Sequence, residues 1–300
     1  MLRMCARGGS LRSGKKVELI SVIPKLRQCL EQVRRAGKTI GLVPTMGALH
    51  QGHGRLIETA VAQSGCVVVS IFVNPIQFNQ QEDFEKYPRA LEEDLEFCEA
   101  HGVDIVFAPP VGEMYPEPLR THVEVSWLTD HLCGAFRPGH FRGVTTVVAK
   151  LFNIVQPDRA YFGEKDAQQL AVIRRMVRDL NIPIAIVAVP TVREGDGLAV
   201  SSRNVRLTPE HRRTAPLLYQ ALLTVAQAIE SGLKDPVQAR ARALALLERA
   251  PEIRLEYLEI VDPENMQPVR SIEGPVRVAA AVWLGGTRLI DNVLAKPANR

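Results

Sequence analysis

Hydrophobic and polar positions fall into two regimes along the chain. Up to about Val192, short β-branched runs alternate with stretches of helical periodicity; beyond it, helices come first and strands follow. From about Ser21 to Ala36, Leu26, Leu30 and Val33 recur on one helical face. Thr39–Val43 reads as a buried strand and Arg55–Gln63 as a helix. "CVVVSIFV", Cys66–Val73, is a continuous apolar run of the kind needed by a parallel strand covered on both faces. A helix is expected around Arg89–His101, a strand at Asp104–Phe107 and, after an irregular segment, a long helix at Gly143–Val155. "RAYFGEKD" supplies a strand ending at Gly163, Asp166–Leu180 a helix, and "IPIAIVAVPTV" a further strand. Five alternations predict an α/β fold: a Rossmann-like, doubly wound parallel sheet with helices on both faces, spanning 17–192.

After Val192, Thr208–Ser231 and Pro236–Ala250 read as helices, followed by strands at Leu255–Val261, Val276–Leu284 and Thr287–Asn292 with a "GGT" turn between the last two. This order predicts a smaller C-terminal α+β domain over 193–300. The basic stretch 1–16, "MLRMCARGGSLRSGKK", lacks an apolar core and is expected to be a disordered extension. Within it, Gly9, Gly14 and Lys15 imitate a phosphate-binding loop. Lys16 stands where a magnesium-binding hydroxyl belongs and no strand precedes, so the context fails.

Composition narrows the class. With 300 residues, 46% hydrophobic and 23% charged, the chain is long enough for one or two ordinary globular domains. No apolar run is long enough to span a bilayer, so no membrane role is expected. Five scattered cysteines with no CxxC pair suit a reducing cytoplasm better than a disulfide framework or zinc ribbon. A net charge of +4 with only 5% aromatic residues and no basic stripe gives a nucleic-acid partner little support. A few basic residues around an anionic small molecule account for it equally well.

In a doubly wound sheet, ligands bind beyond the carboxyl ends of the strands, and four polar clusters fall there. "PTMGALHQGH" follows the first strand, "NPIQF" the second, "FGEKD" the fourth and "TVREGDGLAVSSRN" the fifth. His50 and His53 fit three roles: metal ligands, phosphate ligands, or surface residues. A helix opening at or near His53 favours an anion, with imidazole N–H groups added to the helix terminus. The metal reading lacks a third ligand, and the spacing is not HExxH. Lys165 suits phosphate charge, and Asp166 suits a ribose hydroxyl or a plain helix cap. Ser201, Ser202 and Arg203 form a hydroxyl-and-guanidinium set suited to a triphosphate, on a glycine-bearing loop able to close. Together these point to nucleotidyl transfer, which requires positioning and charge neutralisation rather than a covalent nucleophile.

Five stretches in order, "PTMGALHxGH", "SIFVNPxQF", "RPGHFRGV", "FGEKDxQQL" and "DGLAxSSRN", resemble the pantothenate synthetase (pantoate–β-alanine ligase) family, within the HIGH-type nucleotidylyltransferase superfamily. The similarity runs from about Val17 to Asn292. It implies condensation of pantoate with β-alanine through a pantoyl adenylate, with ATP as substrate, release of AMP and pyrophosphate, and a homodimer. By motif position it implies that Met46, Gly47, Ala48, Leu49, His50, Gln51, Gly52 and His53 bind ATP, with His53 as proton donor. Gly163, Glu164, Lys165 and Asp166 join them, with Val192 near adenine and Val200, Ser201, Ser202 and Arg203 over the triphosphate. Pro44, Met46, Gln77 and Gln169 are implied for pantoate, with Asn74 and Arg137 as further substrate-site residues. Magnesium is implied with ATP, and Asp94 is the family position to watch; a helix-surface aspartate is the alternative. Gly54 and Cys133 depart from the family pattern, so no carboxylate role is assigned at 133. A nucleotidyltransferase that stops at the adenylylated product is the neighbouring reading, and Gln77 with Gln169 argues against it.

Overall fold

The computed structural model describes residues 16–79 and 81–297; the near-match at Gly9–Lys15 and the rest of the basic stretch before Lys16 lie outside them. Six parallel strands form one sheet: β1 (Glu18–Ile20), β2 (Ile40–Thr45), β3 (Cys66–Ile71), β4 (Ile105–Phe107), β5 (Arg159–Gly163) and β6 (Ala185–Val189), in the order β1-β4-β3-β2-β5-β6. The helices between them are α1 (Ile23–Arg35), α2 (Gln51–Gln63), α3 (Leu91–Ala100), α4 (His140–Val155) and α5 (Ala167–Asp179). Alternate residues of the strands face opposite cores. Ile40, Leu42 and Val68 pack with Leu30 of α1, Val148 of α4 and Ile173 of α5, while Val43, Val67 and Val69 pack with Ile57 of α2 and Cys98 of α3. Helices on both faces are what an apolar parallel strand requires.

Chain direction across the sheet reverses between β2 and β5. Their pairing covers only Gly41 with Arg159 and Leu42 with Ala160. By contrast, β2 pairs with β3 as far as Thr45, and β5 with β6 as far as Gly163. Beyond Leu42 the two central strands therefore part, and a crevice opens between their carboxyl ends. This is the switch point at which open α/β sheets bind ligands.

A second, antiparallel sheet follows, β7 (Ile253–Val261), β8 (Val276–Leu284) and β9 (Thr287–Ala295), in the order β7-β8-β9. One face, with Val278, Ala280 and Val282, packs on α6 (Leu217–Glu230) and α7 (Pro236–Leu247). The other, with Ala279 and Ala281, packs on Leu132, Phe141 and Val172 of the larger unit.

Four expectations are revised. Strand β1, at the sheet edge, precedes the first expected strand; three residues with one buried side chain carry no periodic signal. The helix expected over Thr208–Ser231 is two, Pro209–Thr214 and α6, because Pro216 has no amide hydrogen to continue the ladder. Helix α2 begins at Gln51, four residues before Arg55, and α4 begins at His140, three residues before Gly143.

Gly143 lets α4 lie directly on the turn Pro75–Gln77. A Cβ there would sit 2.5 Å from the Ile76 carbonyl oxygen and 2.7 Å from Gln77 Cα, both backbone atoms. Gly143→Ala is expected to cost about 1–3 kcal/mol in urea denaturation, the usual penalty for overpacking. An unchanged denaturation midpoint would contradict this packing.

Candidate active site

The crevice between β2 and β5 deepens into a cleft with about 1300 Å3 of empty space, counting its mouth. Pro44, Thr45 and Met46 line one side, Tyr161, Phe162 and Gly163 the other. His50, Gly52, His53, Gln77, Lys165, Asp166, Gln169, Val192, Val200, Ser201, Ser202 and Arg203 also line it, with apolar side chains such as Phe72 and Val147 between them. Residues from four separate motifs thus meet in one space.

His50 is the residue before α2, and its extended backbone turns the chain into the helix. Its Nδ1 accepts from the Gly52 amide at 3.1 Å, while His53 Nδ1 accepts from the His50 amide at 3.3 Å. The rings lie 4.0 Å apart. A side chain on Gly52 would meet the His50 ring at 2.8 Å, so glycine is required for that ring to cross the helix start. With Nδ1 accepting in both rings, each neutral imidazole carries its proton on Nε2. Burial and the nearby Lys165 ammonium lower His50 to about 4. Burial, His50 and Lys165 lower His53 to about 3. The pair offers N–H donors without permanent charge.

The loop between β2 and α2 is held from behind. Ala48 sits in the left-handed region at φ 51, a conformation L-residues adopt at a cost. Asp94 of α3 compensates: its Oδ2 accepts from Ala48 N at 2.9 Å and its Oδ1 from Leu49 N at 2.7 Å. Asp94 is buried at 3% exposure, so the helix-surface alternative is wrong for this residue. Burial raises its pKa, and the two amides work against that. Gly47, Ala48, Leu49 and Gln51 do not line the cleft; they shape it.

Gln77 is positioned by a relay. The Tyr115 hydroxyl donates to Asn74 Oδ1 at 2.8 Å, Asn74 Nδ2 donates to Gln77 Oε1 at 3.0 Å, and Gln77 Nε2 points to Met46 Sδ at 3.0 Å. Asn74 is therefore a buried support behind the cleft wall. His140 Nδ1 lies 2.8 Å from the Gln77 carbonyl oxygen, so it donates there and its Nε2 accepts from Arg137 Nη1 at 3.3 Å. Burial and then Arg137 lower His140 to about 3.

Lys165 lies on the turn Glu164–Asp166, at the end of β5. Asp166 precedes α5 but makes no capping hydrogen bond, so the plain-cap reading does not hold; it is the one acidic side chain on the cleft wall. Glu164 does not line the cleft. Arg137 lines an adjoining cavity that shares Lys165, Asp166, Gln169 and Arg203 with the cleft. Tyr87 was not legible as a site residue: it is buried and lines the cleft, with its hydroxyl near the Ser202 side chain. A lone tyrosine in an irregular segment carries no signal of that partnership. Among the described residues, no group of three or more His, Cys, Asp or Glu side chains is arranged to hold a metal ion, and no helix is long and apolar enough to cross a membrane.

A doubly wound parallel sheet, opened at its switch point into a cleft of neutral histidine donors and cationic side chains, defines a nucleotide-handling α/β enzyme. A family profile described as Pantoate-beta-alanine ligase matches residues 18–294. Pantothenate synthetase of Moorella thermoacetica is 54% identical over 278 residues, covering 93% of this chain and 98% of that protein. A pantothenate synthetase structure from Thermus thermophilus superposes with a TM-score of 0.88 at 49% identity, covering 92% of this chain and 99% of the other. Pantoate-beta-alanine ligase from Francisella tularensis, complexed with β-γ ATP and β-alanine, gives a TM-score of 0.77 at 34% identity, covering 93% and 97%. The chain belongs to the pantoate–β-alanine ligase family.

The depressed histidines set a pH dependence. In the unfolded chain His50, His53 and His140 take a proton below about 6.5, in the folded chain only below about 4, 3 and 3. Between those values the unfolded state binds more protons, so stability is full above pH 6.5 and falls as the pH drops toward 4. Denaturant midpoints from pH 7.5 to 4.5 are expected to decline in the native protein and less steeply in His140→Gln. Parallel profiles for the two would contradict a buried neutral His140.

Proposed function

We propose that this protein condenses pantoate with β-alanine to give pantothenate, consuming ATP through a pantoyl adenylate and releasing AMP and pyrophosphate. The observation that carries the reading is the convergence of His50, His53, Gln77, Lys165, Gln169 and Ser201–Arg203 on one cleft in a chain of this family. Gln77 and Gln169 hold the pantoate hydroxyls and carboxylate, since each amide offers both a donor and an acceptor. Pro44 and Met46 pack beside them. ATP lies across the start of α2, with Val192 near the adenine and Gly163–Asp166 alongside.

The pantoate carboxylate oxygen attacks the α-phosphorus, forming the acyl–phosphate bond as the bond to the pyrophosphate oxygen breaks. Lys165, Arg203, Ser201, Ser202 and the two histidine Nε2–H groups stabilise the charge that moves onto pyrophosphate; the neutral His53 does so as a hydrogen-bond donor that keeps its proton, in place of the proton donor the resemblance implies. The amine of β-alanine then attacks the acyl carbon, AMP departs, and the nitrogen loses a proton. Loop 191–203 and the unit that follows it, 193–300, close over the triphosphate against 17–192 and shield the adenylate from water. Magnesium would enter the site as part of the ATP complex, where Asp166, among the described residues the one carboxylate on the wall, would help to hold it and the ion would offset phosphate charge. Asp94, whose two oxygens hold loop amides, serves the loop rather than the ion. The protein works as a cytoplasmic homodimer, a reading supported by the family resemblance and by thiols at Cys29, Cys66, Cys98 and Cys133 with no disulfide among the described residues.

Purified protein with ATP, magnesium, pantoate and β-alanine is expected to produce AMP and pantothenate, with neither product in stoichiometric yield when β-alanine is omitted. Steady pyrophosphate release independent of any amine would refute the ligase reading. Lys165→Ala is expected to slow pantoate-dependent ATP–pyrophosphate exchange by about 10²–10³-fold, the usual loss for one transition-state donor. Exchange at the native rate would remove Lys165 from the chemistry.

A further inference from the structure

Asp291 and Asn292 are adjacent in β9 and both buried, at 4% and 6% exposure. Neither belongs to a cleft motif, and neighbouring residues in a strand point to opposite faces. Each reaches a different phosphate-side element of the cleft. The Asn292 amide nitrogen donates to two carbonyl oxygens of the Lys165 turn, Glu164 O and Lys165 O, each at 2.9 Å. Both amide hydrogens are thereby used, and the Oδ1 accepts from Arg277 Nη1.

Asp291 reaches the other way. Its carboxylate receives Arg193 in a two-pronged ion pair, Nη1 to Oδ2 at 2.6 Å and Nη2 to Oδ1 at 3.0 Å, the geometry that fixes a guanidinium most firmly. The same guanidinium lies 3.7 Å from the Tyr219 ring centroid and donates to the Gly197 carbonyl at 3.0 Å. Arg193 stands at the base of the hairpin that leads to Ser201–Arg203: it bridges to Ala199, and Val200 N donates to Val192 O at 3.0 Å. Asn204 Nδ2 closes the stem on Ala199 O at 3.1 Å.

Two elements that meet in the cleft, and that are separated by more than thirty residues of sequence, are therefore fastened to consecutive residues of one strand. We infer that Asp291 and Asn292 are positioning residues that set the spacing between the Lys165 turn and the Ser201–Arg203 loop, so that β9 serves as their common reference. The inference rests on the proposed adenylation only in naming which half-reaction the pair supports. Lys165 and Arg203 face the departing pyrophosphate, so the spacing matters while ATP is cleaved and not once the adenylate has formed.

Asn292→Asp keeps the side-chain shape but removes both N–H donors, and Asn292→Ser restores one. Pantoate-dependent ATP–pyrophosphate exchange in Asn292→Asp is expected to lose about 10–100-fold in kcat/KM for ATP, the scale of a catalytic group misplaced by about an ångström. Asn292→Ser should fall between it and the native protein. KM for pantoate, and the single-turnover reaction of preformed pantoyl adenylate with β-alanine, should stay within about twofold. Calorimetric affinity for a non-hydrolysable ATP analogue should fall, and amide hydrogen exchange over residues 164–169 should quicken. Equal losses in both half-reactions, tracking a lowered Tm, would reduce Asn292 to a structural role and overturn the inference, as would unchanged exchange kinetics. Native protein without pantoate-dependent exchange would refute the functional reading instead. Analogue affinity and amide exchange would then still decide the positioning role, and both unchanged in Asn292→Asp would overturn it.

Discussion

The short pairing of β2 with β5 is the constraint from which the site follows. Two residue pairs join the strands, and then both backbones run on while paired only to their outer neighbours. A parallel sheet built outward from its centre must reverse direction somewhere, and there the connecting helices lie on opposite faces and cannot fill the gap. The loops leaving β2 and β5, one with the histidines and one with Lys165, are thereby set face to face. Everything else in the cleft is added around that opening.

Charge in the cleft is arranged in two tiers. Lys165 and Arg203 supply positive charge, while His50 and His53 supply Nε2–H donors that stay neutral because burial above all, with Lys165 beside them, disfavours their charged forms. Four cations in so small a volume would repel one another and destabilise the folded protein; two cations with two neutral donors reduce that cost and still leave four donor groups on the wall. Behind this tier sit residues that do not themselves line the cleft: Asp94 on the loop amides, Asn74 on Gln77, and Tyr115 on Asn74. The smaller sheet joins through β9, so the C-terminal unit is part of the site's framework.

Sequence patterning made the alternating elements, the sheet class and most of the cleft legible, because β-branched runs and terminal glycines report local geometry. His50, His53, Lys165 and Ser201–Arg203 stood out because each follows a strand, where the fold gathers ligand residues. What escaped depends on contacts between distant segments. Strand β1 is too short to show a period, and the break at Pro216 lay inside an otherwise continuous apolar pattern. The resemblance points to Asp94 for magnesium and the helix pattern to a surface acid; neither signal shows its burial against the amides of Ala48 and Leu49. Tyr87 and Asn292 carry no local signal, since their partners, Ser202 and the Lys165 turn, lie more than a hundred residues away.

The central claim is that two neutral histidines present Nε2–H groups to nucleotide phosphates at the β2–β5 opening. Nitrogen-15 chemical shifts of the histidine rings, measured from pH 8 to 5 with and without a non-hydrolysable ATP analogue, test it most directly. His50 and His53 are expected to remain neutral Nε2–H tautomers down to pH 5 in the free protein, and the analogue is expected to shift Nε2 in both. Rings that take up a proton near pH 6.5, or carry their proton on Nδ1, would contradict it.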